Sequence, residues 1–139
     1  MSLVIDASLT LSWYFEDERT PAIDAVLDQV VASGAVAPSL WRLEVANGLQ
    51  MAIRRKRIDK EFRDRALRHL TLLPIIVDPD TDKYVWSSMI HLADQFGLTM
   101  YDTAYLELAH RRSLPLASLD EKLGEAGKAL GVSILGRRK

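Results

Sequence analysis

Five short apolar runs limit what this chain can fold into more than any other feature. They are Leu3-Val4-Ile5, Ala35-Val36-Ala37, Ile75-Ile76-Val77, residues 114–117 and residues 132–135. Each reads as a strand, and helical patterns separate them. Residues 9–16 look helical. Thr20 and Pro21 open a second helix as N-cap and first helical proline. It carries Ile23, Val26, Leu27 and Val30 at helical spacing and stops near Gly34. Ser39 is placed to cap a long helix running to about Arg55, and Asp59 to cap another carrying Phe62, Ala66, Leu67 and Leu70. Residues 81–96 are expected to be one helix, with Gly97 as its stop. Thr99 opens a helix to about Arg112, and a last one covers residues 121–130 before Gly131.

Strands separated by helices imply a parallel sheet covered on both faces. Right-handed crossovers make this a three-layer α/β/α domain with a central parallel sheet of about five strands, spanning residues 1–139. In such sheets the functional site lies beyond the carboxyl ends of the strands, where the strand order reverses.

The totals exclude several classes. A length of 139 residues suits one domain. The longest apolar run, about residues 72–77, is broken by Pro74 and is far short of the roughly 18 residues a membrane span needs. The opening Met1-Ser2-Leu3-Val4-Ile5-Asp6 lacks a basic stretch and does not read as a signal peptide. The expected location is the cytoplasm. There is no cysteine, which rules out disulfides and thiolate zinc sites. His69, His91 and His110 have no ligand-type spacing. Any metal must therefore be held by oxygens, which points to Mg²⁺ or Mn²⁺. A formal net charge of −1 gives no whole-molecule attraction for nucleic acid. Such binding has to come from local basic patches.

Most of the 19 acidic residues need no explanation. Glu16, Asp17 and Glu18 read as an exposed turn, and so do Asp78, Asp80 and Asp82. Four others have apolar neighbours. Asp6 ends the first strand, where it suits either an N-cap or a site. Glu44 lies within a helix and shares a face with Leu40, Leu43, Asn47 and Met51, a pattern that suggests a buried polar group. Asp102 follows Thr99 by three residues, as in a capping box, at the start of a helix that is apolar on most sides. Ser118-Leu119-Asp120-Glu121 is itself a capping box, so Asp120 suits a cap as well as a site. Jointly the case is stronger. Asp6 and Asp120 follow strands at one edge of the sheet, and Glu44 and Asp102 lie early in helices that start there. Converging carboxylates repel and take up protons unless a cation sits among them. With Mg²⁺ or Mn²⁺ they become an oxygen cage that can activate water against a phosphate.

These residues resemble those of PIN-domain proteins, most closely the VapC toxins of bacterial and archaeal toxin–antitoxin pairs. The resemblance runs through Val4-Ile5-Asp6-Ala7-Ser8, Glu44-Val45-Ala46-Asn47-Gly48-Leu49, Tyr101-Asp102-Thr103-Ala104-Tyr105 and Leu116-Ala117-Ser118-Leu119-Asp120-Glu121-Lys122-Leu123. It covers essentially the whole length. It implies metal-binding, catalytic acids at Asp6, Glu44, Asp102 and Asp120, and supporting polar roles for Ser8, Asn47 and Ser118. Serine at 118 stands where the family usually has threonine, and the hydroxyl is kept. The resemblance also implies RNA cleavage, a homodimer, and inhibition by an antitoxin whose tail occupies the cleft.

Arg54-Arg55-Lys56-Arg57, followed by Arg63, Arg65 and Arg68, suits either an RNA-backbone contact or a solvated helix end. The tail Arg137-Arg138-Lys139 adds weak phosphate attraction. Trp13, Tyr14 and Phe15 cannot all face one core from a single helix, so one or two are expected at a dimer or antitoxin surface. Trp41 and Trp86 are expected in the core. Two enzyme rivals fit less well. A phosphatase with Asp6 as nucleophile commonly has an acid two residues on, where this chain has Ser8. A receiver domain needs an early acidic pair, which is missing. The non-enzyme rival is a PIN-like RNA- or protein-binding module that has lost catalysis, and metal-dependent cleavage separates the two.

Overall fold

A computed structural model describes residues 2–137. Among the described residues the strands are β1 (Leu3–Ile5), β2 (Ala35–Ala37), β3 (Ile75–Val77), β4 (Leu116–Ala117) and β5 (Ile134–Leu135). They form one sheet in the order β3-β2-β1-β4-β5, and every neighbouring pair is parallel. The helices are α1 (Ala7–Ser12), α2 (Pro21–Ser33), α3 (Leu40–Arg54), α4 (Lys60–Leu72), α5 (Ser88–Phe96), α6 (Met100–Arg112) and α7 (Glu121–Ala129). Right-handed crossovers put α1 to α4 on one face of the sheet and α5 to α7 on the other. The packing agrees: α3 contacts α1 and α4, and α6 contacts α5 and α7. This is the expected three-layer α/β/α architecture.

Covering on both faces explains why the central strand is apolar throughout. Leu3, Val4 and Ile5 are fully buried. Val4 pairs with Val36 on one side and Leu116 on the other. The chain leaves β1 toward β2 and β3 in one direction and later fills β4 and β5 in the other. The reversal therefore falls between β1 and β4. The ladder runs to the very end of β1, where the Asp6 amide donates to Ala117 O at 3.1 Å. Asp6 and the residues after Ala117 thus share the carboxyl edge at the reversal point. Gly48 lets α3 approach α1 closely, since a side chain there would displace Leu11.

Several local expectations are corrected. The helix expected over residues 9–16 ends at Ser12, whose hydroxyl donates back to Leu9 O at 2.5 Å. The aromatic run therefore lies on a turn, not a helix. Trp13 and Phe15 are both buried, and Tyr14 is half-buried with its hydroxyl 2.6 Å from His69 Nδ1. Residues 81–96 are not one helix. A 3₁₀ turn at Thr81–Tyr84 and a bend precede α5. Trp86 sits on that bend and is 89% exposed, so it is not a core residue, whereas Trp41 is. Ser39 precedes α3 in a helical conformation and its side chain caps nothing. The fourth and fifth strands are shorter than expected, at two residues each. The tail residues Arg138 and Lys139 lie outside the described residues.

The largest correction concerns Asp78, which is buried rather than part of an exposed turn. It follows β3 and accepts from Thr81 Oγ1 at 2.7 Å, Arg111 Nη2 at 2.8 Å and Arg112 Nη2 at 2.7 Å. Arg111 also pairs with buried Glu107 at 2.7 Å and lies over the Tyr84 ring. The network ties the loop after β3 to the end of α6. Burial alone would raise the Asp78 carboxyl. The hydrogen bonds from Arg111, Thr81 and Arg112 outweigh it and hold the group well below the usual carboxylate range. A lowered folded value means that Asp78 stabilises the protein above its unfolded value of roughly 3.9 and loses that contribution as pH falls through the folded value. Asp78→Ala should cost roughly 2–4 kcal/mol at pH 7, because it strands two arginines that are only partly exposed. Urea unfolding at pH 7 and pH 3 checks this. The variant's deficit should shrink at pH 3. An equal midpoint for both proteins at pH 7 would contradict the assignment.

Candidate active site

The acids come to the carboxyl edge from four places in the chain. Asp6 is the N-cap of α1, as its extended backbone (φ −96°, ψ 171°) allows. Its Oδ1 accepts from the Leu9 amide at 2.9 Å and from Ser8 Oγ at 2.8 Å. Ser118 lies near enough for its hydroxyl to favour the charged carboxylate. Asp120 caps α7 through the Leu123 amide at 2.8 Å, and its own amide donates to Ser118 Oγ at 3.0 Å. Both cap readings are therefore correct, and they leave a second oxygen on each acid. Ser8 Oγ accepts from the Leu119 amide at 3.3 Å, so it stitches the turn after β1 to the turn after β4. Asp102 stands in the first turn of α6, its amide capped by Thr99 Oγ1 at 3.1 Å. Glu44 stands in the second turn of α3 and accepts from Tyr105 Oη at 2.5 Å.

Electrostatics links the four. Asp6 is 4% exposed. Burial, only partly offset by Ser118, Leu9 and Ser8, pushes its carboxyl up to about 6, and the charge of Asp102 adds to the rise. Burial likewise raises Glu44 and Asp102. Tyr105 opposes the rise at Glu44, and Asp102 adds to it; Asp120 is the next cause at Asp102. The charge of Asp102 thus bears on both Asp6 and Glu44, and that of Asp120 bears on Asp102. The hydrogen bonds to Asp6 come from neutral groups, so its buried charge has no compensating cation among them. Such a group calls for a proton or a dication. All-oxygen donors with a shared charge excess fit a hard divalent ion. The cluster is open rather than a finished cage. As the side chains stand, no three His, Asp or Glu groups among the described residues close on one point. Mutual repulsion favours that spread, and Asp102 and Asp120, which are half-buried and exposed, have solvent to turn through.

The supporting residues divide. Ser8 and Ser118 bond the acids as described. Asn47 is exposed on α3, one turn beyond Glu44. The face of α3 that enters the core is Trp41, Val45, Leu49 and Ala52, not the Glu44 stripe, and Leu43 is 74% exposed. Glu44 is therefore a half-buried rim residue rather than a core one. Of the basic cluster, Arg55 and Arg57 line a groove of about 450 Å³ together with Ser8, Gly48, Met51 and Asp120. Arg57 is also held by Asp17 at 2.9 Å and Glu18 at 3.4 Å and lies over the Phe15 ring. Lys56 lines a neighbouring concavity of about 920 Å³. That one is larger and is lined by none of the four acids, whereas Asp120 lines the smaller groove. Arg54 is exposed at the end of α3.

Two site residues escaped the sequence reading. Tyr105 lies in an apolar helix and within a quoted motif but was given no role of its own. Its place three residues after Asp102, on the same helical face, was the available signal. Burial, Glu44 and the other nearby carboxylates hold its phenol protonated. Lys122 lies within the quoted motif without a role. Its Nζ donates to Gly97 O at 2.7 Å, and its charge lowers Asp102 slightly against the other influences.

Comparison with known proteins agrees with this fold. The family model described as "PIN domain" matches residues 3–129. Ribonuclease VapC3 of Pyrobaculum aerophilum is 30% identical over 130 residues, covering 94% of this chain and 98% of the relative. Two solved structures share the fold. PAE2754 from Pyrobaculum aerophilum aligns with a TM-score of 0.69 at 23% identity, over 96% of this chain and 89% of the other. FitAcB from Neisseria gonorrhoeae aligns with a TM-score of 0.64 at 15% identity, over 96% of each chain.

Burial of Asp6 has a consequence for stability. A carboxyl whose folded value is raised from 3.8 to about 6 stabilises the protein fully only below the unfolded value, and that contribution is lost as pH rises to about 6. Asp6→Asn keeps the cap acceptor and removes the charge. In EDTA at pH 7.5 it should stabilise the protein by roughly 1–3 kcal/mol, with the gain disappearing below about pH 4. Thermal unfolding across that range decides the point, and a variant less stable than wild type at pH 7.5 would show that Asp6 has a compensating partner.

Proposed function

The chain belongs to the PIN-domain family, and from that premise we propose that it is an endoribonuclease that hydrolyses RNA phosphodiester bonds with Mg²⁺ or Mn²⁺ held by Asp6, Glu44, Asp102 and Asp120. The observation that carries this reading is a buried Asp6, hydrogen-bonded only by neutral groups, at the reversal point of the sheet with further carboxylates within electrostatic reach. A bound divalent ion supplies positive charge against the phosphate and lowers the pKa of a water. The chain's own residues do the rest. Asp6 is fixed by α1 and Ser8, Asp120 by α7 and Ser118, and Glu44 by Tyr105. Arg55 and Arg57, in the groove that reaches Ser8 and Asp120, are placed to pair with phosphates flanking the cut. The acidic cleft alone would repel RNA, so these cations are needed to bring the backbone in.

The same premise extends to role and partners. We propose that the protein is the toxin of a type II toxin–antitoxin pair and that an antitoxin segment occupies the cleft. The support is the likeness to Ribonuclease VapC3. A homodimer is part of the proposal. Exposed large apolar side chains at Trp86, Leu72, Ile76 and Leu43 give this small domain surface that a second copy or a partner can cover. Among the described residues no helix is long and apolar enough to cross a membrane.

The test is cleavage of a mixed pool of tRNA and rRNA fragments by purified protein, with Mn²⁺, with EDTA, and with Asp102→Asn. Cleavage should require Mn²⁺. It should also fall in the variant by more than the roughly 10–100-fold that losing an outer-sphere partner costs. Cutting that survives EDTA or the substitution would overturn the assignment. An absence of cutting across structured and single-stranded pools would favour the binding-module alternative.

A further inference from the structure

Glu44 is the one acid of the four that neither caps a helix nor stands beside a cap, so nothing in its own backbone neighbourhood fixes its side chain. Asp6 and Asp120 are pinned by amides three residues ahead, and Asp102 sits beside its Thr99 cap. Glu44 has a longer, more flexible side chain, half exposed on α3. What holds it comes from another layer of the molecule. Tyr105 is 1% exposed, its ring packed in the core and its hydroxyl directed at Glu44 Oε1 from α6. Because α3 and α6 lie on opposite faces of the sheet, this bond reaches across the carboxyl edge. The other end of the same stretch of α3 is also fixed. Trp41 Nε1 donates to Thr10 Oγ1 at 2.9 Å, and Thr10 Oγ1 donates to Asp6 O at 2.8 Å. The helix that carries Glu44 is thereby registered to the backbone of Asp6, and its side chain to the helix that carries Asp102.

We propose that Tyr105 is a positioning residue for divalent-ion binding: its buried hydroxyl engages one oxygen of Glu44 and orients the other toward the acidic cluster. The inference rests on the metal-dependent reading above. A buried phenol is suited to this task. It donates one hydrogen bond, carries no charge to compete with the ion, and is held by ring packing, so orienting Glu44 costs little further entropy. The role is that of an outer partner that orders a ligand, which typically changes metal affinity by roughly 10–100-fold.

Tyr105→Phe removes the hydroxyl and keeps the ring. Mn²⁺ binding to the whole protein is measured by titration calorimetry for wild type, Tyr105→Phe, Glu44→Gln and the double variant, beside their melting temperatures. Tyr105→Phe should weaken Mn²⁺ binding at least about 10-fold, and should have no further effect once Glu44 is already glutamine. RNA cleavage by Tyr105→Phe should recover at high Mn²⁺, which a merely structural lesion would not do. Equal Mn²⁺ affinity in Tyr105→Phe and wild type overturns the role of Tyr105 and leaves the nuclease reading intact. Additive losses in the double variant overturn action through Glu44. Wild-type protein that binds no Mn²⁺ overturns the metal reading and this inference with it.

Discussion

A carboxylate at the end of a fully buried strand must be protonated, paired or liganded, and the structure is arranged around that demand. β1 is the central strand because its three residues are apolar enough to be covered on both faces and flanked on both edges. That burial carries Asp6 in with it. The sheet order then turns back between β1 and β4, so the loops on either side of Asp6 diverge and leave an opening. Neutral donors satisfy part of the group, and the remaining charge is unmatched. The nearby charge of Asp102 deepens the deficit instead of relieving it. A fold that only needed a cap at position 6 would place a cation or an apolar wall opposite. This one places three more acids.

The opening is acidic at its floor and basic along one wall. With a net charge of −1, the whole-molecule field does not attract RNA. For the proposed nuclease, attraction has to be local, and Arg55 and Arg57, which line the groove where α3 ends, are the cations placed for it. Their position follows from α3 itself, which bears Glu44 near its start and the cations at its close. Gly48, between them, lets the helix lie close against α1 and keeps the groove open. One helix thus sets the distance between Glu44 and the basic wall at Arg55 and Arg57. Arg57 is partly occupied by Asp17 and Glu18, so Arg55 is the freer of the two.

How much could be read in the sequence depended on how local the cause was. The parallel sheet was legible because each strand is a contiguous apolar run. Asp6, Asp102 and Asp120 were legible because each ends a strand or begins a helix, positions set by neighbours within three or four residues. Glu44 was found for a partly wrong reason: its stripe was read as buried, whereas the core face of α3 is offset to Trp41, Val45 and Leu49. The failures are non-local. Asp78 looked like one acid among three in a turn, and its arginine partners lie more than thirty residues on. Trp86 looked like core until the helix around it proved to begin two residues later. Trp13 and Phe15 both reach the core because a short helix stops before them, an ending that no glycine or proline announces. Tyr105 was invisible as a site residue because its partner is 61 positions away.

The most direct test of the account is where a divalent ion binds. Crystals of the wild-type protein soaked in Mn²⁺ and measured at the manganese absorption edge would locate the ion by anomalous scattering. The account predicts a peak at the carboxyl edge between β1 and β4, with oxygens of Asp6 and at least one of Glu44, Asp102 and Asp120 about 2.0–2.3 Å away. A peak elsewhere, for example at the surface acids Asp80 and Asp82, with none beside Asp6, would contradict it.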